Sequence, residues 1–209
     1  MLDTDLIAAS TPSSRLMVVL HGLGDSMEGY RWMPSLLALP WLNYLLVNAP
    51  DEYFGGFSWY DIYGDAAPGV TRSRKLLIEL LNDLPARRFD FAQTVLFGFS
   101  QGSLMTIEIG ARYPQLFAGL VGISGYAHEP ETLVRQLSPE ARQQRWLLTH
   151  GTQDPLIPLA PVRQQVQQLR AAGLNIQWHE FPKAHTIDTG AELACIRQFI
   201  MDRYPTPPR

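Results

Sequence analysis

Short apolar runs alternate along the chain with longer segments in which apolar residues recur at helical spacing. Six runs are apolar at mostly consecutive positions: residues 16–20, 44–47, 94–97, 120–123, 146–149 and 176–181. Consecutive apolar positions are typical of strands that are buried on both faces of a parallel sheet. The last run alternates apolar and polar residues, which predicts an edge strand with one wetter face.

Three longer segments carry apolar stripes with the period of an amphipathic helix. The stripes are Leu76, Leu77, Leu80, Leu81 and Leu84; Val162, Val166 and Leu169; and Leu193, Ile196, Phe199 and Ile200. Because strand and helix patterns alternate, the chain is predicted to be α/β: a mostly parallel, doubly wound sheet with helices on both faces. Residues 1–209 are predicted to form a single domain without a large cap, with a lead-in over residues 1–14 and a proline-rich tail over residues 204–209.

Composition and charge exclude several classes of protein. The apolar fraction of 46% is too high for a disordered chain, and the net charge of -3 gives no footprint for nucleic acid or anionic membranes. The single cysteine, Cys195, excludes an internal disulfide. No apolar stretch approaches the roughly 20 residues of a membrane helix, so no stable membrane insertion is expected. The first ten residues lack the basic start of a secretory signal, and the expected location is cytoplasmic.

A candidate nucleophile follows the third apolar run. The residues Gly98-Phe99-Ser100-Gln101-Gly102 stand between that run and an apolar helical segment. This is the G-x-S-x-G pattern in the strand–turn–helix context that its mechanics require. The glycines avoid clashes in a sharp turn, and the helix N-terminus favours a developing anion. The alternative is a serine that only caps the helix.

Of the five histidines, His185 is the best candidate for the general base. It lies in a loop just after the last predicted strand, where functional side chains of an open α/β sheet gather. It also lies downstream of Ser100, as the chain order Ser, acid, His requires. The others fall at the ends of buried strands (His21 and His150), in a polar loop (His128) or inside the last strand (His179).

Asp154 is the candidate acid of the triad. It follows the strand over residues 146–149 through a short turn, whereas the glutamates between Ser100 and His185 fall mostly in helices or in the edge strand. Its role would be to fix the tautomer of His185 and to stabilise the imidazolium. The alternative is a structural aspartate in a turn before Pro155.

The oxyanion hole requires two backbone N–H donors. One is expected from Gln101, directly after the nucleophile, and the other from Leu23 in the glycine-rich loop over residues 21–25. That loop half resembles a dinucleotide fingerprint, but Met27 stands where the third glycine should be and no acid follows about 20 residues on. We therefore expect no nucleotide cofactor. Since no cluster of histidine, cysteine and acids has metal spacing, we expect no metal.

The loop over residues 48–70 is rich in aromatic residues and glycine. Such a loop at the active-site end predicts an apolar acyl site under a mobile flap, while the alternative is that most of these aromatics belong to the core. Trp59 is the best single candidate for a pocket residue, and Tyr126 is a second.

Taken together, the motifs LHGLGD, GFSQG and HGTQDPLIP with the late histidine resemble the carboxylesterase and acyl-protein thioesterase family of α/β-hydrolases. The resemblance runs from Leu16 to Met201. It implies an α/β-hydrolase fold, a triad of Ser100, Asp154 and His185, and an oxyanion hole of Leu23 and Gln101. It also implies that Leu156 and Ile157 line the acyl channel. The chain departs from the family at Ser103, where many members have glycine, and near Lys183.

These observations predict a serine hydrolase that cleaves small-molecule carboxylic esters, or thioesters or lysophospholipids, through an acyl-enzyme on Ser100. Two alternatives stay open. One is a catalytically silent binding protein, because a fold does not fix a function. The other is a peptidase or acyltransferase that uses the same triad. The sequence also leaves open whether the chain forms a homodimer.

Overall fold

The computed structural model describes residues 1–204, so the predicted tail lies outside the described residues except for Tyr204. A seven-stranded sheet runs through the centre in the order β1-β3-β2-β6-β7-β8-β9. The strands of this sheet are β1 (Thr4–Ile7), β2 (Leu16–Leu20), β3 (Asn43–Val47), β6 (Thr94–Phe99), β7 (Gly119–Ile123), β8 (Trp146–Gly151) and β9 (Ile176–Phe181), while β4 (Asp51–Tyr53) and β5 (Gly56–Ser58) form a separate hairpin. All neighbours in the large sheet are parallel except β1 and β3. The predicted mostly parallel sheet is confirmed.

Helices cover both faces of the sheet, as predicted. They are α1 (Met33–Leu37), α2 (Ala66–Asp83), α3 (Gln101–Arg112), α4 (Pro130–Arg135), α5 (Leu159–Ala171) and α6 (Ala191–Met201). Buried residues of α1 and α6 pack on one face, and those of α2, α3, α4 and α5 pack on the other. Successive residues of the interior strands supply the two cores in turn; in β2, Val18 faces one core and Val19 the other.

The interior strands lie where the apolar runs predicted them. β2 has the predicted bounds, and β6, β7 and β8 each extend one or two residues further. The predicted edge position of β9 is confirmed, and its burial alternates along the strand. The extension of β6 matters for function, because the strand ends at Phe99, directly before Ser100.

The predicted lead-in over residues 1–14 contains a strand that the sequence pattern did not reveal. β1 pairs antiparallel with β3, with Thr4 opposite Val47. Its four residues, TDLI, are only partly buried, so they carry no continuous apolar run. An antiparallel edge strand with one solvated face needs none.

Residues 48–70 contain the hairpin of β4 and β5, which docks on the loop after β2. Gly24 donates its N–H to the carbonyl of Phe57 at 2.9 Å, and Phe57 donates to the carbonyl of Asp25 at 2.9 Å. A side chain at Gly56 would place its Cβ 2.2 Å from the carbonyl oxygen of Gly24. The close approach of hairpin and loop therefore depends on glycine at this position.

Candidate active site

Ser100 stands on a sharp turn between β6 and α3. Its backbone has φ 54° and ψ -116°, a conformation that side chains rarely adopt. The glycines on either side make this turn possible, since a Cβ at Gly98 would lie 2.1 Å from the carbonyl oxygen of Gly102 and one at Gly102 would lie 2.1 Å from that of Leu20. The strand–turn–helix context expected for a G-x-S-x-G serine is thus present.

The loops after β6, β8 and β9 bring the three predicted triad residues together. In the neutral histidine, the Nδ1–H of His185 donates to Oδ2 of Asp154 at 2.7 Å, and the hydroxyl of Ser100 donates to Nε2 of His185 at 2.9 Å. The side chain of His185 is 12% exposed and that of Asp154 is fully buried. The serine oxygen therefore has an oriented base within proton-transfer distance.

The carboxylate of Asp154 is held in its ionised form. Burial alone would raise the pKa of Asp154, but hydrogen bonds from the backbone of Ile157 and Leu156 and from His185 hold that pKa below its usual value. Both backbone N–H groups donate to Oδ1 at 2.9 Å, which leaves Oδ2 for His185. The turn after β8 thus fixes which carboxylate oxygen meets the imidazole.

His150, near the end of β8, supports the same turn from within the protein interior. Its Nε2–H donates to the carbonyl of Ile157 at 2.9 Å and lies 3.6 Å from Oδ2 of Asp154. Burial lowers the pKa of His150, so the ring is neutral at pH 7 and makes no ion pair with the aspartate. It fixes the Asp154 turn as a neutral donor.

A buried histidine also fixes the predicted oxyanion loop. The Nδ1–H of His21 donates to the carbonyl of Gly22 at 2.6 Å, and its Nε2 accepts the N–H of Ala49 at 3.0 Å. Burial lowers the pKa of His21, which agrees with a neutral ring that accepts at Nε2. Leu23, one residue beyond this anchor, lines the same cavity as Ser100 and Gln101.

The side chain of Gln101 has a role that the sequence did not suggest. Its Oε1 accepts the N–H of Trp59 at 2.9 Å, and its Nε2 donates to the carbonyl of Tyr60 at 2.8 Å. Gln101 therefore ties the segment after β5 to the start of α3. The sequence predicted a role only for the backbone of Gln101, from its position after Ser100. The partners of its side chain lie 41 or 42 residues away and leave no local sequence pattern.

A cavity of about 490 Å³ opens beside Ser100 and His185. The predicted substrate-binding residues Tyr126, Leu156 and Ile157 line it, together with Gly22, Leu23, Asp25, Tyr60, Ile62, Phe99 and Gln101. This volume lies in the range of small-molecule sites, and most of the lining side chains are apolar. A second groove of about 250 Å³ shares Asp25, Phe99 and His185 with it and continues along Trp32 and Ile187.

The prediction that Trp59 lines the pocket is wrong. Its side chain is fully buried and belongs to the core, and its indole N–H donates to the carbonyl of His21 at 2.9 Å. An indole buried in the core needs such a partner, and the predicted oxyanion loop supplies it. The neighbouring Tyr60 and Ile62 line the cavity instead. The hydroxyls of Tyr60 and Tyr126 lie 3.2 Å apart at its wall.

The other aromatics of residues 48–70 divide between core and surface. Tyr60 is buried, while Phe54 at the hairpin turn is 94% exposed and Tyr63 is 80% exposed. The alternative of a core role is thus confirmed for Trp59 and Tyr60, and Phe57 packs, partly buried, against the same core. Mobility of the segment stays a prediction.

Within residues 1–204, no group of three or more histidine, cysteine and acidic side chains is placed to hold a metal ion. None of the helices described there has the length and apolar character needed to cross a membrane.

Comparisons with known proteins agree on one family. The chain matches the family described as Phospholipase/Carboxylesterase over residues 3–203. It is 32% identical over 174 residues to acyl-protein thioesterase 1 of Schizosaccharomyces pombe, covering 75% of this chain and 76% of that protein. It is 27% identical over 222 residues to acyl-protein thioesterase 1 of Debaryomyces hansenii, covering 93% and 94%.

Solved structures show the same fold. The crystal structure of esterase PE8 superposes with a TM-score of 0.83 at 26% identity, covering 97% of this chain and 99% of that one. Acyl-protein thioesterase 2 of Zea mays superposes with a TM-score of 0.80 at 23% identity, covering 96% and 98%. The similarity therefore extends over nearly the whole described chain.

Proposed function

We propose that this chain, which belongs to the phospholipase/carboxylesterase family and is a hydrolase of the esterase and thioesterase type, works through an acyl-enzyme formed on Ser100. The observation that carries the proposal is the unbroken hydrogen-bonded series from Ser100 through His185 to Asp154. A serine hydroxyl is a weak nucleophile until a positioned base takes its proton.

In the first half-reaction, Oγ of Ser100 attacks the acyl carbonyl while its proton passes to Nε2 of His185. The resulting imidazolium is stabilised by Asp154, which keeps Nδ1–H as donor. The backbone N–H groups of Leu23 and Gln101 hold the oxyanion of the tetrahedral intermediate. His185 then gives the proton to the departing alcohol or thiol, and the acyl group stays on Ser100.

In the second half-reaction, water gives a proton to His185 and attacks the acyl-enzyme. A second tetrahedral intermediate forms in the same oxyanion hole and collapses. The carboxylic acid leaves, and the proton returns from His185 to Oγ of Ser100. The base and the oxyanion donors therefore serve both steps without rearrangement.

The two cavities suggest how a substrate lies across the triad. We assign the acyl group to the cavity of about 490 Å³, where Tyr60, Tyr126 and Ile157 supply apolar walls. We assign the alcohol or thiol to the groove of about 250 Å³ beyond His185. The substrate class is a small-molecule carboxylic ester or thioester, because both carry the same acyl carbonyl.

The test is Ser100→Ala. The control is Ser10→Ala, which changes an exposed serine far from Ser100 in the sequence. We expect Ser100→Ala to abolish p-nitrophenyl ester hydrolysis and labelling by a fluorophosphonate, which reacts with an activated serine. The control keeps both. Labelling that persists in Ser100→Ala contradicts the assignment, and saturable ligand binding without turnover in the wild type favours a binding protein.

Two further readouts separate the remaining alternatives. Peptide substrates and added alcohol acceptors, tested beside the esters, would reveal a peptidase or acyltransferase on the same triad. The cytoplasmic location and a homodimer stay predictions, to be checked by cell fractionation and by size-exclusion chromatography with light scattering.

A further inference from the structure

A buried ion pair lies under the loop that carries His185. The ammonium of Lys183 donates to Oε2 of Glu192 at 2.7 Å. The Lys183 side chain is 5% exposed, and that of Glu192, in the first turn of α6, is fully buried. Neither residue takes part in the proposed reaction. Because buried charges are costly, a pair so close to His185 needs a role that offsets this cost.

The ammonium of Lys183 has three partners, which equals its number of donors. Besides Glu192, it donates to the backbone carbonyl of Thr186 at 2.6 Å and to Oγ of Ser124 at 3.2 Å. His185 lies between Lys183 and Thr186 in the chain. The hydrogen bond from the Lys183 side chain to the Thr186 carbonyl therefore closes a ring that includes the backbone of His185, the candidate base.

The partners of Lys183 lie on separate elements. Ser124 belongs to the loop after β7, and Glu192 to the start of α6. Glu192 also accepts the N–H of Asp188 at 2.9 Å, and Asp188 accepts the N–H of Glu192 at 3.1 Å. The loop between β9 and α6 is thus held at both ends of its length.

The same loop is joined to the turn that carries Asp154. The carbonyl of Lys183 accepts the N–H of Gln153 at 3.1 Å. At Gly151 a Cβ would lie 2.3 Å from that carbonyl, so the two loops are in close contact. A shift of the Lys183 backbone would consequently move His185 relative to Asp154.

The pair stands among other titratable groups. His150 in β8 and Asp154 in the turn that follows face it from one side, while Asp188 faces it from the loop before α6 and Cys195 from α6 itself. Burial lowers the pKa of Lys183, while Glu192 and the nearby acids oppose that shift. The cost of removing two charges from water offsets most of their mutual attraction, so such a pair adds little net stability. Its contribution lies more naturally in fixing geometry.

We propose that Lys183 is a positioning residue for His185: through Thr186, Ser124 and Glu192, its ammonium fixes the loop that places the imidazole between Ser100 and Asp154. This inference rests on the proposed function. It adds a residue outside the triad on which the rate of the reaction depends.

The decisive variant is the double substitution Lys183→Met with Glu192→Gln. It removes the ammonium without leaving a buried charge unpaired, and glutamine keeps an oxygen for the N–H of Asp188. We expect kcat for a p-nitrophenyl ester to fall on the order of 10- to 100-fold, since a misplacement of about 1 Å can cost that much, while KM stays near the wild-type value. The acid limb of the kcat–pH profile keeps its midpoint, because the two removed charges cancel.

Two comparisons separate positioning from stability. Lys183→Met alone leaves the buried charge of Glu192 without its ion-pair partner and should lower Tm more than the double variant does. Arg145→Met is the matched control at the opposite end of the sheet, where Arg145 donates to the carbonyls of Ala118 and Phe199. It should lower Tm and leave kcat unchanged.

A wild-type kcat in the double variant overturns the inference, and so does a loss that merely follows the folded fraction. If Lys183→Met does not fold, the double variant decides alone. Ester hydrolysis by the wild type and none by Ser100→Ala would show that the proposed function stands, whatever the double variant does.

Discussion

Ser100 combines an unfavourable backbone conformation with a reactive position. A residue with a side chain held at a sparsely populated φ and ψ costs on the order of 1–3 kcal/mol. Gly98 and Gly102 allow the chain to pass so close to itself, and the hydroxyl meets His185 as a result. The strained backbone at Ser100 is therefore made possible by its neighbours in sequence.

At the residue scale, Asp154→Asn tests how the acid acts. An asparagine presents an N–H where Asp154 presents an acceptor, so it favours the wrong tautomer of His185. We expect kcat for a p-nitrophenyl ester near pH 7 to fall by about 10⁴-fold, the loss seen when this role is removed from a serine triad. A kcat within a few-fold of wild type would show that Asp154 does not orient the base. Asp61→Asn, an exposed carboxylate on the segment after β5, is the control and should keep wild-type kcat and Tm.

The same variant tests a pH dependence of stability. The pKa of Asp154 is lower in the folded chain than in the unfolded one, so its stabilising contribution is present above the unfolded pKa and is lost as pH falls through the folded pKa. The free energy of unfolding should exceed that of Asp154→Asn near neutrality, and the difference should shrink below about pH 4. Urea unfolding of both proteins from pH 7 to pH 3 measures it. A difference that is constant with pH contradicts the assignment.

The meeting of Ser100, Asp154 and His185 could be predicted from the sequence because each residue is placed by chain order and by the end of a strand. Trp59 could not, since a tryptophan one residue from a pocket and one inside it look alike in sequence. Lys183 likewise gave no sign of its contact with Ser124, which lies 59 residues away along the chain. Contacts between distant loops set these roles.

At the scale of elements, the hairpin of β4 and β5 supports the predicted oxyanion loop. Gly56→Ala would press a methyl group against the carbonyl of Gly24, whereas Gly55→Ala meets nothing within 4 Å and strains only its own backbone at φ 87°. We expect Gly56→Ala to displace Leu23 and to lower kcat by roughly 10-fold or more; the upper limit is the roughly 100- to 1000-fold that complete loss of one oxyanion donor costs.

Gly55→Ala is the matched control for the hairpin. It should lose stability, about 1 kcal/mol, because alanine resists a positive φ. Its kcat should nevertheless stay close to that of the wild type. Steady-state kinetics and thermal unfolding of both variants make the comparison; an equal loss of kcat in the two would place the effect in the hairpin as a whole rather than in its contact with Gly24.

The sequence revealed elements in proportion to their burial. Interior strands such as β2 and β8 are buried along their whole length, so their apolar runs marked them clearly. The strands β1, β4 and β5 have three or four residues and at least one partly buried position each, and pairing rather than hydrophobic pattern defines them. Short strands of this kind are visible only once their partners are known.

For the whole molecule, the walls of the proposed acyl cavity come from loops that follow several strands, and Tyr126 forms part of the boundary. Tyr126→Ala removes a ring from the wall and should shift the preferred acyl chain toward longer or bulkier groups, because more apolar volume becomes available. Each buried CH₂ adds about 0.8 kcal/mol to binding, so the gain should grow with chain length. An ester series from acetyl to palmitoyl measures the profile.

Tyr126→Phe serves as the control for cavity volume. It keeps the ring and loses only the hydroxyl that lies near Tyr60, so its chain-length profile should match that of the wild type. If Tyr126→Ala has the wild-type profile as well, another part of the wall limits the acyl group.

The proposed acyl cavity and the second groove meet at His185. This junction sets the order in which molecules leave and enter during the proposed catalytic cycle. In the proposed reaction, the groove is vacant once the alcohol or thiol has left, while the acyl group still occupies the cavity beside Ser100. Whatever enters that vacated groove next reaches the imidazole first, whether water or a small alcohol. Incoming molecules therefore compete for this one groove, and the winner decides whether the acyl group leaves as an acid or as a new ester.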